Sequence, residues 1–393
     1  MYSFKELLNL PEEEQINLGT IFTANEIAQQ PEIWIKTSQI VIQNRKEIKA
    51  FLSKSGVYSE NEMNIYLTGA GSSEFVGNAV APFLQKAFNR PVTSVPTTDF
   101  ITQPDYYLMN NKKNLVVSIG RSGNSPESVA TYNKTKEYNP SAMQVNLCCN
   151  KDSEMLRLTE KDENTLNIIL PEETNDSSLV MTSSYTSMAL ALLALPFLDD
   201  VAKFEKYTQM ASKAAQKILE NDTETVRTFI CRETDRILYL GTAELKGCAQ
   251  ESRLKSQEMT DGRILSDFNS YLGLRHGPQV FANKTSLVIA YLSSDPKRRL
   301  FEIDLLKEMQ EKEQGADYLF VCDKKDKAIQ SLKGQILEVF PGGDSLPDAF
   351  NILPYVLIGQ LNGLFKSIQI GHKPDSPSIS GTINRVVQDV SIY

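Results

Sequence analysis

The chain has 393 residues, 41% apolar and 23% charged, with a formal net charge of −8. That length predicts two domains with separate cores, the composition excludes a disordered chain, and the acidic balance argues against nonspecific nucleic-acid binding. Five scattered cysteines without C-x-x-C spacing suit a reducing compartment. Two histidines, His276 and His372, exclude a His-rich metal site, and no metal or cofactor is expected.

From Met1 to Gln15 there is neither an apolar block nor a small-residue cleavage site. The longest apolar stretch, Met188 to Leu198, is about half of a bilayer span and contains Pro196. It reads as a buried helix, and the chain as cytoplasmic. Residues 1–50 read as a helical lead-in. Strand–turn–helix units follow. Asn64–Thr68 is a strand, Gly69–Ser73 its turn, and the next helix repeats Phe75, Ala79, Phe83 and Ala87 at i+4. Asn114–Ile119 is a second strand, Gly120–Pro126 its turn and Glu127–Tyr138 its helix. Met143–Cys148 and Thr165–Leu170 are further strands, and Thr182–Leu198 a helix.

Residues 199–232 are charged and helical, a linker between halves, after which the scheme restarts. Arg236–Leu240 is a strand, Gly241–Glu244 a turn and Leu245–Met259 a helix. Ser286–Leu292, Asp317–Val321 and Gln335–Phe340 are later strands, with the helix Lys297–Gln314 among them. This alternation predicts an α/β fold with a parallel sheet and right-handed crossovers in each half. The expected divisions are 1–50, 51–200 and 201–393. "IYLTGAGSSE" and "ILYLGTAELK" are weakly similar, as after a duplication.

The turn at Gly69–Ser73 is neither a Walker loop nor a dinucleotide fingerprint, since no Gly-Lys-Ser/Thr follows and position 74 is Glu. Ser72 and Ser73 serve a ligand or simply cap the helix. The second turn offers Arg121, Ser122, Asn124 and Ser125 ahead of Pro126, more hydroxyls than capping needs. Helix N-termini with clustered hydroxyls suit a phosphate monoester, and adjacent turns at the carboxyl ends of strands would form one crevice. Thr182, Ser183 and Ser184 open a third helix in the same way. In the second half, Lys255 and Glu258 share a helical face at i, i+3. An exposed salt bridge is the commoner explanation of such a pair. His276 and His372 both sit in turn-forming contexts and are alike by local rules.

In order, "GAGSS", "GRSGNSPES", "TSS", "ESRLKSQE" and "RHGP" together resemble tandem sugar isomerase (SIS) proteins. From residue 50 onward the pattern is similar to the isomerase half of glucosamine-6-phosphate synthase. "LKSQEMTDGRI" and "SGTINRVVQDVSIY" are particularly similar to the bacterial galactosamine-6-phosphate deaminase/isomerase family, also called tagatose-6-phosphate ketose/aldose isomerase. The resemblance implies two SIS domains, each a three-layer αβα sandwich around a parallel sheet. It implies that Ser72, Ser73, Arg121, Ser122 and Ser125 surround a phosphate, with Thr182 or Ser183 nearer the sugar hydroxyls. It further implies that Glu258 moves a proton between C1 and C2, that Lys255 steadies the oxyanion, and that His276 assists ring opening from a neighbouring subunit of a homodimer or higher homo-oligomer.

Two departures stand out. Gly120-Arg121 replaces the synthase's Ser-Gln, adding a cation at the phosphate site, and the synthase's Schiff-base lysine falls on Gln388. The expected activity is conversion of galactosamine 6-phosphate to tagatose 6-phosphate and ammonia. An aldose–ketose phosphate isomerase and a non-catalytic sugar-phosphate sensor are the alternatives. Residues 1–50 are too short and acidic for the DNA-reading domain of a sensor.

Overall fold

A computed structural model describes residues 2–59, 63–109, 112–387 and 390–393. Among them, ten strands form two five-stranded sheets, parallel throughout. The first contains β1 (Met63–Gly69), β2 (Val92–Pro96), β3 (Lys113–Gly120), β4 (Met143–Cys148) and β5 (Thr165–Ile169), in the order β2-β1-β3-β4-β5. The second contains β6 (Arg236–Leu240), β7 (Leu265–Asn269), β8 (Leu287–Tyr291), β9 (Asp317–Cys322) and β10 (Gln335–Glu338), in the order β10-β9-β8-β6-β7. Read from their first strands, the two orders are the same, as a duplication requires.

The chain forms two compact units, each holding one sheet. Glu32–Asp176, Ser183–Thr208 and Ile383–Tyr393 gather with the first sheet; Met1–Pro31, Ser177–Thr182 and Gln209–Thr382 gather with the second. The lead-in is helical as expected, but its first helices pack in the second-sheet unit, where the ring of Phe4 meets Phe365 edge-on at 6.5 Å. In the first-sheet unit, the Ser183–Ala194 helix is buried on every side. Such a helix needs no polar stripe.

The helix after β1, Ser72–Phe88, buries Val76, Ala79, Val80 and Leu84. Of the stripe expected from spacing only Ala79 is buried, because Phe75 and Phe83 lie at the margin and Ala87 faces solvent. Phe83 instead stacks on Phe197.

The second-sheet unit is organised around the helices Glu244–Met259 and Asp348–Gln369, which lie against each other. Gly359 and Gly363 permit this approach. A Cβ on Gly359 would overlap the Ser252 side chain, and one on Gly363 would stand 2.9 Å from the Lys255 carbonyl oxygen. Among the described residues, no helix is long and apolar enough to cross a membrane.

Candidate active site

In the first sheet, the chain passes from β1 outward to β2 and then returns to β3 on the other side of β1. The order therefore reverses between β1 and β3, and there open α/β sheets hold their ligands, beyond the carboxyl ends of the strands. Both predicted anion turns leave that edge, after Gly69 and Gly120, from strands paired in register through Thr68 and Ser118.

Each turn has a physical reason for its glycines. Gly71 has φ +56°, and a Cβ on Gly69 would lie 2.8 Å from the Glu74 backbone nitrogen. Bending this sharply delivers Ser72 and Ser73, both buried, at the N-terminus of a 17-residue helix. In the second turn, Gly123 has φ +60° against Cys148 and Ser153. Ser125 caps the next helix by accepting from the Ser128 N–H at 3.2 Å, with Pro126 in its first turn. Asn124 accepts from the Glu154 N–H at 2.8 Å. Thus Ser125 and Asn124 have structural tasks, as capping allows, while Ser122 lies part-exposed beside them.

Arg121 is buried and donates from Nη2 to the Arg385 carbonyl oxygen at 2.5 Å. Arg385 is held by the Asp176 carbonyl at 2.8 Å and by Asn175 Oδ1 at 2.7 Å. The carboxylate of Asp176 accepts from the Ser183 N–H at 3.1 Å, the Ser184 N–H at 2.9 Å and the Ser184 hydroxyl. The hydroxyl cluster at this helix start is thus served by an internal anion. Asp176 and Arg385 escaped the sequence reading, because neither adjoins a glycine turn. Thr182 falls in the second-sheet unit and Ser183 in the first. Gln388 lies outside the described residues.

In the second-sheet unit, Glu251, Lys255 and Glu258 share one face of the Glu244–Met259 helix at i, i+4 and i+7. Lys255 and Glu251 are fully buried, so this is no solvent-facing pair. Lys255 Nζ lies 2.8 Å from Glu258 Oε2 and 3.1 Å from Glu251 Oε1, while the Glu258 side chain keeps 21% of its exposure. Burial opposes the ammonium charge of Lys255, but the two carboxylates outweigh it and raise its pKa above the usual value. The sequence reading passed over Glu251, although it stands four residues before Lys255 on the same face.

The helix stops just past Glu258 because Asp261 adopts φ 49° and Gly262 φ 72°. Their N–H groups return to the carbonyls of Glu258 (3.2 Å) and Gln257 (2.9 Å). This closing motif satisfies the last carbonyls and fixes Glu258 in the final turn.

The histidines separate. His372 is buried, and its Nδ1–H donates to the Pro377 carbonyl at 3.3 Å. His276 is exposed on the turn after Tyr271–Leu274, ahead of Gly277 at φ +122°. Among the described residues its ring makes no hydrogen bond or ion pair.

At the equivalent reversal point of the second sheet, between β6 and β8, the chain supplies its own anions. Asp348 accepts from the Ser294 N–H at 2.7 Å and from Arg298 at 3.0 Å, and Glu302 accepts from the Ser293 N–H at 2.8 Å. Burial pushes Glu302 up to about 7. Ala243, with φ 51° and ψ −116°, stands here where the first unit uses Gly71, with φ 56° and ψ −128°.

The family model described as SIS domain matches residues 58–196. The chain is 32% identical to D-galactosamine-6-phosphate deaminase of Shewanella sp. over 98% of its length and 95% of that protein's. The same protein of Escherichia coli is also 32% identical, over 95% of each chain. Among solved structures, tagatose-6-phosphate ketose/aldose isomerase from Escherichia coli superposes with a TM-score of 0.85 at 29% identity, covering 94% of this chain and 96% of that one. The C-terminal domain of glucosamine-fructose-6-phosphate aminotransferase from Francisella tularensis shares the fold, with a TM-score of 0.71 at 18% identity over 90% and 96% of the two chains. With its motifs in order and this identity sustained from end to end, the chain belongs to the D-galactosamine-6-phosphate deaminase family of SIS-domain proteins.

Proposed function

We propose that the protein converts D-galactosamine 6-phosphate to D-tagatose 6-phosphate and ammonia, as an aldose–ketose isomerase that also releases the amine. The observation that carries this reading is the end-to-end similarity to deaminases of that name, in a chain whose motif helix holds a buried lysine against a part-exposed glutamate.

In this reading the Ser72–Ser73 and Arg121–Ser125 turns bind the phosphate. Remote binding energy then orients the reacting carbons. Thr182 and Ser183 face the sugar hydroxyls. His276 assists ring opening, which exposes the C1 aldehyde. Glu258 takes the C2 proton and returns it to C1. Between these steps the electrons of the broken C–H bond form the enolamine, whose oxygen is stabilised by Lys255. Protonation at C1 leaves an imine at C2; water adds there and ammonia departs, giving the ketose.

The exposed ring of His276, which makes no hydrogen bond or ion pair among the described residues, supports its acting in a neighbouring subunit, within a cytoplasmic homodimer or larger homo-oligomer that shares its sites. A reaction without nitrogen is favoured by the likeness to a solved ketose/aldose isomerase. Incubation with a panel of hexosamine 6-phosphates, reading ammonia release and C2 deuterium exchange, separates the possibilities. Ammonia and tagatose 6-phosphate from the galactosamine substrate are expected. Exchange and interconversion of aldose and ketose phosphates without ammonia mark a plain isomerase. Binding without exchange marks a sensor.

A further inference from the structure

The buried charges beside Glu258 include one that the proton transfer itself does not require. A lone Lys255–Glu258 pair would already be electrically balanced. Glu251 adds a second carboxylate, fully buried, on the far side of the lysine from Glu258 in the helical order. Burying an ion is costly unless it is compensated, and Lys255 Nζ, 3.1 Å from Glu251 Oε1, is a partner that compensates this third charge.

Its use appears when the reaction is followed charge by charge. Glu258 becomes neutral on accepting the C2 proton. At that moment Lys255 would lose its counter-ion, just as negative charge gathers on the substrate oxygen. A buried ammonium without a carboxylate readily sheds its proton. We propose that Glu251 is a positioning residue that keeps Lys255 charged and oriented throughout the cycle, whatever the protonation state of Glu258. This rests on the reading of Glu258 and Lys255 given above.

The surroundings leave that task to Glu251. The charges that raise Lys255 are those of Glu251 and Glu258, acting against burial. Titratable groups on the packed elements are engaged elsewhere. Tyr239 of β6 meets the Ser256 hydroxyl at 2.6 Å, and Tyr291 of β8 meets Ser252 at 2.7 Å. On the Asp348–Gln369 helix, Asp348 pairs with Arg298, and Lys366 donates to the Ile230 and Arg232 carbonyls. On β7, Asp267 accepts from the Phe268 N–H. On the motif helix itself, the Cys248 thiol is pushed well up, by burial first and then in part by the charge of Glu251.

The test is the pH dependence of kcat, with KM, for the whole protein and its E251Q and E251D variants, alongside C2 deuterium exchange. For E251Q we expect kcat at neutral pH to fall by at least roughly tenfold with KM held within about twofold. Its alkaline limb should move at least about one pH unit toward neutrality as the lysine loses a counter-charge. E251D, which keeps the carboxylate, should restore the limb most of the way. A limb in E251Q that coincides with the parent's overturns the positioning role while leaving the reaction standing. Absence of C2 exchange in the parent protein overturns the reaction and the role with it. Should E251Q fail to fold by circular dichroism, E251A takes its place: an alkaline limb moved toward neutrality supports the role, and a limb that coincides with the parent's overturns it.

Discussion

Arg121 donates to the backbone carbonyl of Arg385 at 2.5 Å, so the cation of the turn after Gly120 is tied to the C-terminal segment of its own unit. Arg121→Met keeps much of the stem but loses the charge. Inhibition by inorganic phosphate should weaken at least roughly tenfold, as a lost charge-assisted bond requires. Arg385→Ala leaves the carbonyl in place but releases it from Asn175 and Asp176, and should weaken inhibition less. Competition assays with phosphate check both, and equal inhibition of parent and Arg121→Met would place the guanidinium away from the ligand.

Ser72 and Ser122 offer hydroxyls at two neighbouring turns of one sheet edge. Replacing either with Ala removes a donor without filling the crevice. Each change should weaken sugar-phosphate binding by about 1–3 kcal/mol, read by titration calorimetry. Ser125→Ala should behave differently. Ser125 caps a helix, so its loss should lower stability by about 1 kcal/mol as well as affinity.

Gly363 predicts a long-range effect on the reaction. A Cβ there would stand 2.9 Å from the Lys255 carbonyl and 2.7 Å from Met259 Sδ. Gly363→Ala should therefore push the two helices apart, costing about 1–3 kcal/mol of stability as overpacking does. It should also lower turnover, because the displaced helix carries Lys255 and Glu258. Urea unfolding together with kcat measures both, and full activity in a destabilised variant would uncouple the packing from the site.

Glu302 gives a pH dependence whose sign can be worked out. Burial raises its folded value to about 7 from a reference of 4.5, while the Ser293 N–H and the Thr242 hydroxyl pull it down. Between those values the native state keeps a proton that the unfolded chain has lost. Its stabilising contribution is complete below about pH 4.5 and is lost as pH rises through 7. Glu302→Gln is neutral throughout, so it should gain on the parent from pH 5 to pH 8, by on the order of 3 kcal/mol. Unfolding curves at both pH values show whether it does.

The strands that escaped the sequence reading share a physical cause. Val92–Pro96 and Leu265–Asn269 are edge strands, part-exposed, so neither shows the continuous apolar run that marked Met143–Cys148. The Asp348–Gln369 helix escaped for the opposite reason. It is buried on nearly every face and carries Pro354, Gly359 and Gly363, which locally read as breaks, although Gly359 and Gly363 are close-packing positions. The two glycine turns proposed to bind phosphate were legible as turns because glycine, hydroxyl and helix start are adjacent in sequence. The burial of Lys255 was not, since it depends on a helix about a hundred residues further on.

In the proposed reaction Glu258 is the residue on which the proton transfer turns. It lies in the last turn of its helix, 2.8 Å from the Lys255 ammonium, with part of its side chain still exposed. Glu258→Gln preserves size and one hydrogen-bonding oxygen, but an amide cannot accept the C2 proton. Turnover should fall by at least roughly a hundredfold while substrate affinity is nearly intact, because the loss falls on the transition state. Deuterium exchange at C2 isolates the step, since it reports proton abstraction even when the later release of ammonia is slow. Exchange at the parent's rate in Glu258→Gln would assign the base to another group and reduce Glu258 to a partner for Lys255. Lost exchange with unchanged binding of the sugar phosphate is the expected result, and it would separate the base from the anion turns within a single variant.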